Sequence, residues 1–322
     1  MSSWKDVLQE VENHQARSGR WLDQQLGKSL ARIGRLRGDS QEQGRDRVVI
    51  LYGSSFLQRP QTQWGVDQII PEDINGFMAC VHGMNVKQGL TLLLHTPGGS
   101  PNAAETIVNY LRSKFDDIEV IVPAYAMSAG TMIALSADRI ILGRQSQLGP
   151  IDPQMITAFG MVSAQAVVDQ FEQAKIDIAE DQNWTHVWAP ILPSLGPSLL
   201  LEAKNALSYG ERMVADWLDK WMLADTNPTD SEGGSAGKEV AIHFSNTSRH
   251  GSHGRRIDRN EARKCGLVIE DLEESQELQD TVLRAYHLMT VMFERSSVVK
   301  IIRNGKDGAW LKAHASSSEP SV

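Results

Sequence analysis

Ser128 is the residue whose surroundings could do chemistry. It lies in Tyr125-Ala126-Met127-Ser128-Ala129-Gly130, between an apolar run at 118–123 and a helical pattern at 131–137. A hydroxyl at a strand-to-helix turn meets unpaired N–H groups and the positive end of a dipole. It becomes a nucleophile only if a base takes its proton and donors receive the oxyanion that forms. As residues alone, the string also reads as an ordinary small-residue helix start. Upstream, Pro97-Gly98-Gly99 closes another apolar run, at 90–94. Glycines let backbone N–H groups approach a ligand without side-chain interference. The N–H groups of Gly99 and Ala129 are therefore candidate oxyanion donors, with Gly98 the near alternative.

Three histidines, His243, His250 and His253, fall within one short stretch. As a zinc site they lack a carboxylate or cysteine partner at a known spacing, so neither a metal nor a cofactor is expected. Cys80 and Cys265 stand in no metal-ligand or redox spacing. A reducing, cytoplasmic setting is the simplest expectation.

The elements that must hold Ser128 alternate along residues 92–153. An apolar run ends in Gly98-Gly99, and a helical pattern follows at 103–112. The run at 118–123 ends at Ser128, and the helix at 131–137 begins there. A third run at 139–143 leads to Gly149-Pro150-Ile151-Asp152. Strand, glycine turn and helix, twice over, predict a parallel α/β layer with crossovers.

TPGGS at 96–100, followed by YAMSAGTMIALSADRIILGRQSQLGPIDPQ at 125–154, resembles the ClpP/crotonase superfamily of serine peptidases. More closely, it is similar to the serine dehydrogenase proteinase family, a ClpP- and signal-peptide-peptidase-like group. The likeness is strong over 85–160. It continues more weakly through Ser252-His253-Gly254-Arg255 and residues 300–304, and it does not extend to the first forty residues. It implies an α/β ClpP/crotonase-like core of repeated ββα units, to which the residue pattern adds an N-terminal helical arm and a C-terminal helical extension. The expected division is 1–44 arm and linker, 45–225 core, 226–313 histidine-containing loop and extension, and 314–322 disordered tail.

The resemblance also implies an acyl-enzyme at Ser128 and a serine, aspartate and histidine in that chain order. Here the order gives Ser128, Asp152 and His253, with His250 and His243 as the next choices. A ClpP-like histidine some twenty-five residues after the serine is absent, since Gly149-Pro150-Ile151-Asp152 stands there. Signal-peptide-peptidase-like relatives use a Ser–Lys dyad, for which Lys175 and Lys204 are the candidates. An acyl-CoA enzyme of crotonase type and a non-catalytic scaffold are further alternatives. The implied partners are a peptide or protein substrate, further copies in a homo-oligomer, and a separate unfolding partner, because no G-x-x-x-x-G-K-[ST] loop is present.

Composition is compatible with this. The chain has 322 residues and a net charge of −8, which argues against nucleic acid as the main partner. No apolar run approaches the ~20 residues of a membrane span. Helix is expected over 1–37, 163–180, 199–222 and 272–293, and strands at 47–52 and 298–303, from their periodicity. Residues 39–46 read as a linker, 53–70 as a loop and 226–238 as a Gly/Ser-rich loop. The acidic residues of Pro71-Glu72-Asp73 suit the start of a helix running to 84. Trp184 and Trp188 suit either a packing contact or a pocket for an apolar side chain.

Overall fold

The computed structural model describes residues 4–14, 18–38, 46–60, 65–157, 160–191, 198–226 and 234–313. The chain divides into two units, one of Met1–Leu148 with Asp258–Val322 and one of Gly149–Ile257. All but the last residue of the expected linker at 39–46, most of the Gly/Ser-rich stretch (227–233) and the tail (314–322) lie outside the described residues.

In chain order, the first unit opens with α1 (Trp4–Glu12), α2 (Ser18–Arg37), β1 (Val48–Ser54), α3 (Asp73–Val81) and β2 (Leu90–His95). It continues with α4 (Pro101–Arg112), β3 (Ile118–Val122), β4 (Tyr125–Ala126), α5 (Ala129–Leu135), β5 (Arg139–Leu142) and β6 (Gln147–Leu148). The second unit holds β7 (Gln154–Thr157), β8 (Gly160–Ser163), α6 (Ala164–Glu180), α7 (Thr185–Trp188), α8 (Leu199–Lys220), α9 (Ala236–Ser245) and α10 (Thr247–His250). The chain then returns to the first unit with α11 (Arg259–Lys264), β9 (Ile269–Asp271), α12 (Gln276–Arg295), β10 (Val298–Asn304) and β11 (Ala309–Ala313).

The expected α/β architecture is present. A seven-stranded sheet of order β11-β10-β1-β2-β3-β5-β9 forms the centre of the first unit. From β1 to β9 every pairing is parallel, and β10 and β11 close one side antiparallel. Strands β1, β2 and β3 are buried along their whole length. That is why they read as continuous apolar runs and not as alternation: helices cover both faces of a parallel sheet.

One face is covered by α1, α2 and α12. Val7, Val11, Leu26, Leu30 and Ile33 meet Val49, Leu51, Leu93, Ile121 and Ile141 from the strands and Val282, Leu288 and Met289 from α12. The N-terminal residues thus enter this unit's own core, as two helices and not one, because the chain turns at Asn13 and His14. Ion pairs reinforce the packing, Arg284 to Glu10 and Arg303 to Asp23. On the other face Tyr52 stacks on Phe77 of α3 at 6.0 Å.

Parallel connectivity brings the carboxyl ends of β2 and β3 to one edge, where the loops that follow can share a site. The opposite edge carries a charge cluster. Glu119, fully buried, binds Arg37 and Arg139, and Thr91 donates to it at 2.7 Å.

In the second unit, β7 and β8 pair as a hairpin that the sequence pattern did not announce. Its Met155 and Val162 pack with Val167, Leu199 and Ala203 of α6 and α8. Helix α9 was also missed, since its first residues belong to a stretch that reads as loop. Ser235 caps it by accepting from the Lys238 N–H at 3.2 Å. Trp188 donates its indole N–H to Asp177 at 3.0 Å, while Trp184 remains exposed.

Candidate active site

Ser128 has φ 51° and ψ −119°, and it is the one non-glycine residue with positive φ among those described. Such a backbone costs an L-residue on the order of 1–3 kcal/mol and persists only where neighbours over-determine it. They do so here. Before Ser128, Thr96 brackets β4, donating its N–H to the Tyr125 carbonyl at 3.0 Å and accepting from the Met127 N–H at 3.1 Å. After it, Gly130 donates to the Met127 carbonyl at 2.8 Å, and the Thr131 hydroxyl donates to the Ala126 carbonyl at 2.7 Å. Ser128 itself is partly exposed, between buried Ala126 and Ala129.

The glycine turn is stitched to the same place. A Cβ added at Gly98 would lie 2.7 Å from the Ser128 Cβ and 2.6 Å from the Met127 carbonyl oxygen. Gly98 and Gly99 have φ of 104° and 150°, so both conformation and space call for glycine. Gly98 donates its N–H to Thr96 Oγ1 at 3.2 Å. Gly99 forms a parallel bridge with Ile69: the Ile69 N–H donates to the Gly98 carbonyl at 2.8 Å, and the Ser100 N–H donates to the Ile69 carbonyl at 2.9 Å. In a parallel ladder the residue flanked by such bonds turns its own N–H away from the partner. The Gly99 N–H therefore points away from Ile69. Ala129 is the first residue of α5, where an N–H has no intrahelical acceptor.

Asp152 and His253 belong to the second unit. The His253 Nδ1 lies 2.7 Å from Asp152 Oδ1. Asp152 is buried, and its Oδ2 accepts from the Gln154 side chain at 2.7 Å. The His253 side chain is 30% exposed. With Nδ1–H donating to the carboxylate, Nε2 is left as the nitrogen that can take a proton. The Ile151 N–H donates to the Phe244 carbonyl at 2.9 Å, which fastens the turn before Asp152 to α9.

The other histidines stand differently. His250 is buried, with Nε2 at 2.7 Å from the His243 carbonyl and Nδ1 at 2.8 Å from the Arg255 guanidinium. A guanidinium can only donate, so Nε2 carries the proton and both nitrogens are engaged. Lys175 is exposed and pairs with Glu172 at 2.8 Å, and Lys204 is exposed too. Solvated ammonium groups of this kind lack the desolvation that turns a lysine into a base. Among the described residues, no group of three or more His, Cys, Asp or Glu side chains is placed to hold a metal ion. None of the described helices is long and apolar enough to cross a membrane.

Two buried groups near the turns escaped the sequence reading. His95, at the end of β2, is fully buried among Phe56, Tyr125 and Tyr286, with ring centroids 5.0, 6.0 and 5.0 Å away. Neither ring nitrogen has a hydrogen-bond partner among the described residues. Burial pushes its pKa down to about 3, against a smaller opposing effect from the Tyr125 backbone. The second group is Asp73. It had the look of a helix-start acid, yet it is fully buried and ion-paired to Lys300 at 2.8 Å. A partner 227 residues away in sequence leaves no local signal.

Comparison with known proteins agrees with the likeness read from the motifs. Two uncharacterized proteins of Methanocaldococcus jannaschii are similar to parts of the chain. One is 40% identical over 111 residues, or 34% of this chain, and the other 46% identical over 66 residues, or 20%. These matches span only 37% and 23% of the relatives' own lengths. Among solved structures, a ClpP1 variant from Listeria monocytogenes aligns at TM-score 0.38 and 14% identity, covering 72% of this chain and 94% of its own. A membrane-bound stomatin-specific protease aligns at 0.36 and 16%, covering 64% and 77%. His253 and Lys300 lie outside the stretch with a family match. That stretch, residues 69–188, holds Gly98, Gly99, Ser128 and Asp152, and it matches the family of ClpP-like SDH-type serine proteinases.

Proposed function

We propose that the chain is a serine peptidase in which Ser128 forms an acyl-enzyme with a peptide substrate. The observation that carries this reading is the left-handed backbone of Ser128, locked against Gly98. Strain at a residue that could otherwise relax marks a place where a hydroxyl is held for use. In the proposed reaction, an imidazole removes the Ser128 proton as Oγ attacks the carbonyl carbon. The carbonyl oxygen, now negative, is received by the N–H groups of Gly99 and Ala129. Gly98 is the weaker choice because its N–H already has an acceptor. The imidazolium then gives its proton to the leaving amine, and water hydrolyses the ester by the same route in reverse.

His253 is the proposed base and Asp152 the residue that orients it. Their 2.7 Å hydrogen bond supports this pairing over His250, whose nitrogens are both engaged. Residues 149–150 are proposed to align the substrate chain through backbone pairing, which would give affinity with little sequence preference.

Labelling with a fluorophosphonate probe, alongside casein hydrolysis, tests the reading. The wild type should label, Ser128→Ala should not, and His253→Ala and Asp152→Asn should label about a hundredfold or more slowly. Undiminished labelling of Ser128→Ala would end the proposal. Undiminished labelling of His253→Ala would keep the nucleophile but transfer the base to another residue.

A further inference from the structure

The Lys300–Asp73 pair lies in the first unit with both side chains at 0% exposure. A buried ion pair is poor evidence of stabilisation, because desolvating two charges offsets their attraction and well-packed apolar residues often do as well. Its use is better sought in what else the two charges hold. Lys300 Nζ donates to both Asp73 oxygens, at 2.8 and 3.0 Å, and to the Gln68 carbonyl at 2.5 Å. Asp73 Oδ2 also accepts the Tyr52 hydroxyl at 2.8 Å and the Ile70 N–H at 3.0 Å. Tyr52 is placed for this by register. Ser54 of β1 lies opposite Lys300 of β10, so Tyr52, two residues back, shares the Lys300 face of the sheet.

The backbone groups captured by the pair, the Gln68 carbonyl and the Ile70 N–H, flank Ile69 on either side. Ile69 in turn spends its own N–H and carbonyl on Gly98 and Ser100, and its backbone lies only 2.4 Å from where a Gly99 Cβ would be. A continuous path therefore runs from β10 and β1, through the 68–70 segment, to the turn that aims the Gly99 N–H. Polar contacts with fixed directions can set that aim, whereas an apolar plug at 300 and 73 could hold the sheet but not the segment's rotation. Burial draws the Lys300 pKa down while Asp73 opposes the shift.

We infer that Lys300, Asp73 and Tyr52 are positioning residues that clamp Ile69 and so fix the oxyanion-binding orientation of the Gly98-Gly99 turn. The inference rests on the peptidase reading above. Donors aimed at a developing oxyanion act in the transition state and not on bound substrate, so misaiming them lowers kcat and leaves KM alone.

The test combines two readouts on three proteins: wild type, Tyr52→Phe, and the double variant Lys300→Met with Asp73→Asn. The first readout is amide hydrogen exchange at Ile69 and Ser100, with Val120 in the buried strand β3 as control. The second is steady-state hydrolysis of 4-nitrophenyl butyrate. In the double variant, exchange at Ile69 and Ser100 should quicken at least tenfold with Val120 unchanged. Its kcat should fall about ten- to a hundredfold with KM within about twofold. Tyr52→Phe, which keeps both charges paired, should shift the same quantities a few-fold and carries the test if the double variant fails to fold. Wild-type exchange at Ile69 and Ser100 in a folded variant would overturn the inference, as would lost protection with wild-type kcat. If the wild type neither labels with fluorophosphonate nor turns over the ester, the peptidase reading falls. The exchange measurement would still decide whether the clamp exists.

Discussion

His95 shows how far a single side chain can depart from what its position in a string suggests. In the run LLLH before the glycine turn it passes for a polar end to a strand. In the fold its ring is sealed among three aromatic rings, with no partner for either nitrogen among the described residues. An unfolded imidazole takes up a proton near pH 6.5, and this one only near 3. Between those values the unfolded chain binds more protons than the folded one. Stability therefore rises with pH across that window and is lost as pH falls through it. The group contributes a slope of at most about 1.4 kcal/mol per pH unit. Urea unfolding at steps from pH 7 to pH 4 should show this loss in the wild type and a shallower one in His95→Phe. Parallel curves for the two proteins would mean that His95 titrates normally when folded. At this scale Ser128 and the two glycines stood out through the likeness of their motifs to a known family, because the residues alone read equally well as an ordinary helix start. The sequence could not show that Asp152 and His253 touch, since 101 positions separate them and each alone reads as a loop residue.

Elements were legible where local chemistry and tertiary role agree. Helix α4 is the clearest case. Ser100 caps it by accepting from the Ala103 N–H at 3.3 Å, Pro101 opens the first turn, and Ala104, Ile107, Val108 and Leu111 line its buried side. Ser100→Ala should lower stability by about 1 kcal/mol, read as a drop in the thermal midpoint. An unchanged midpoint would show that the Ile69–Ser100 backbone bond alone holds the helix start. Strands β2, β3 and β5 were legible for a related reason, since apolar runs bounded by glycine or proline are what a doubly covered sheet demands. The hairpin of β7 and β8 was not, because no Asn-Gly or Asp-Gly turn joins it. Nor was α9, where Ser235-Ala236-Gly237 continues a glycine-rich stretch and the serine is a cap in disguise. Strand β11 alternates between exposed and half-exposed residues at the rim of the sheet, so it has no apolar run to announce it.

For the whole molecule, the family match and the geometry coincide in one region. Residues 69–188 begin at Ile69, which braces the glycine turn, and contain both turns that meet at Ser128. What surrounds this region is read mainly from contacts, as with Lys300 and His253. The left-handed bend at Ser128 has a consequence for the energy of the entire fold. A chain that keeps a side chain there is less stable than it needs to be. Glycine tolerates that conformation, so Ser128→Gly should relieve the bend at the modest expense of a looser unfolded chain. The net gain should be about 1 kcal/mol, seen as a raised melting temperature in a protein that no longer labels. The side chain at position 128 thus holds the fold off its own thermal optimum.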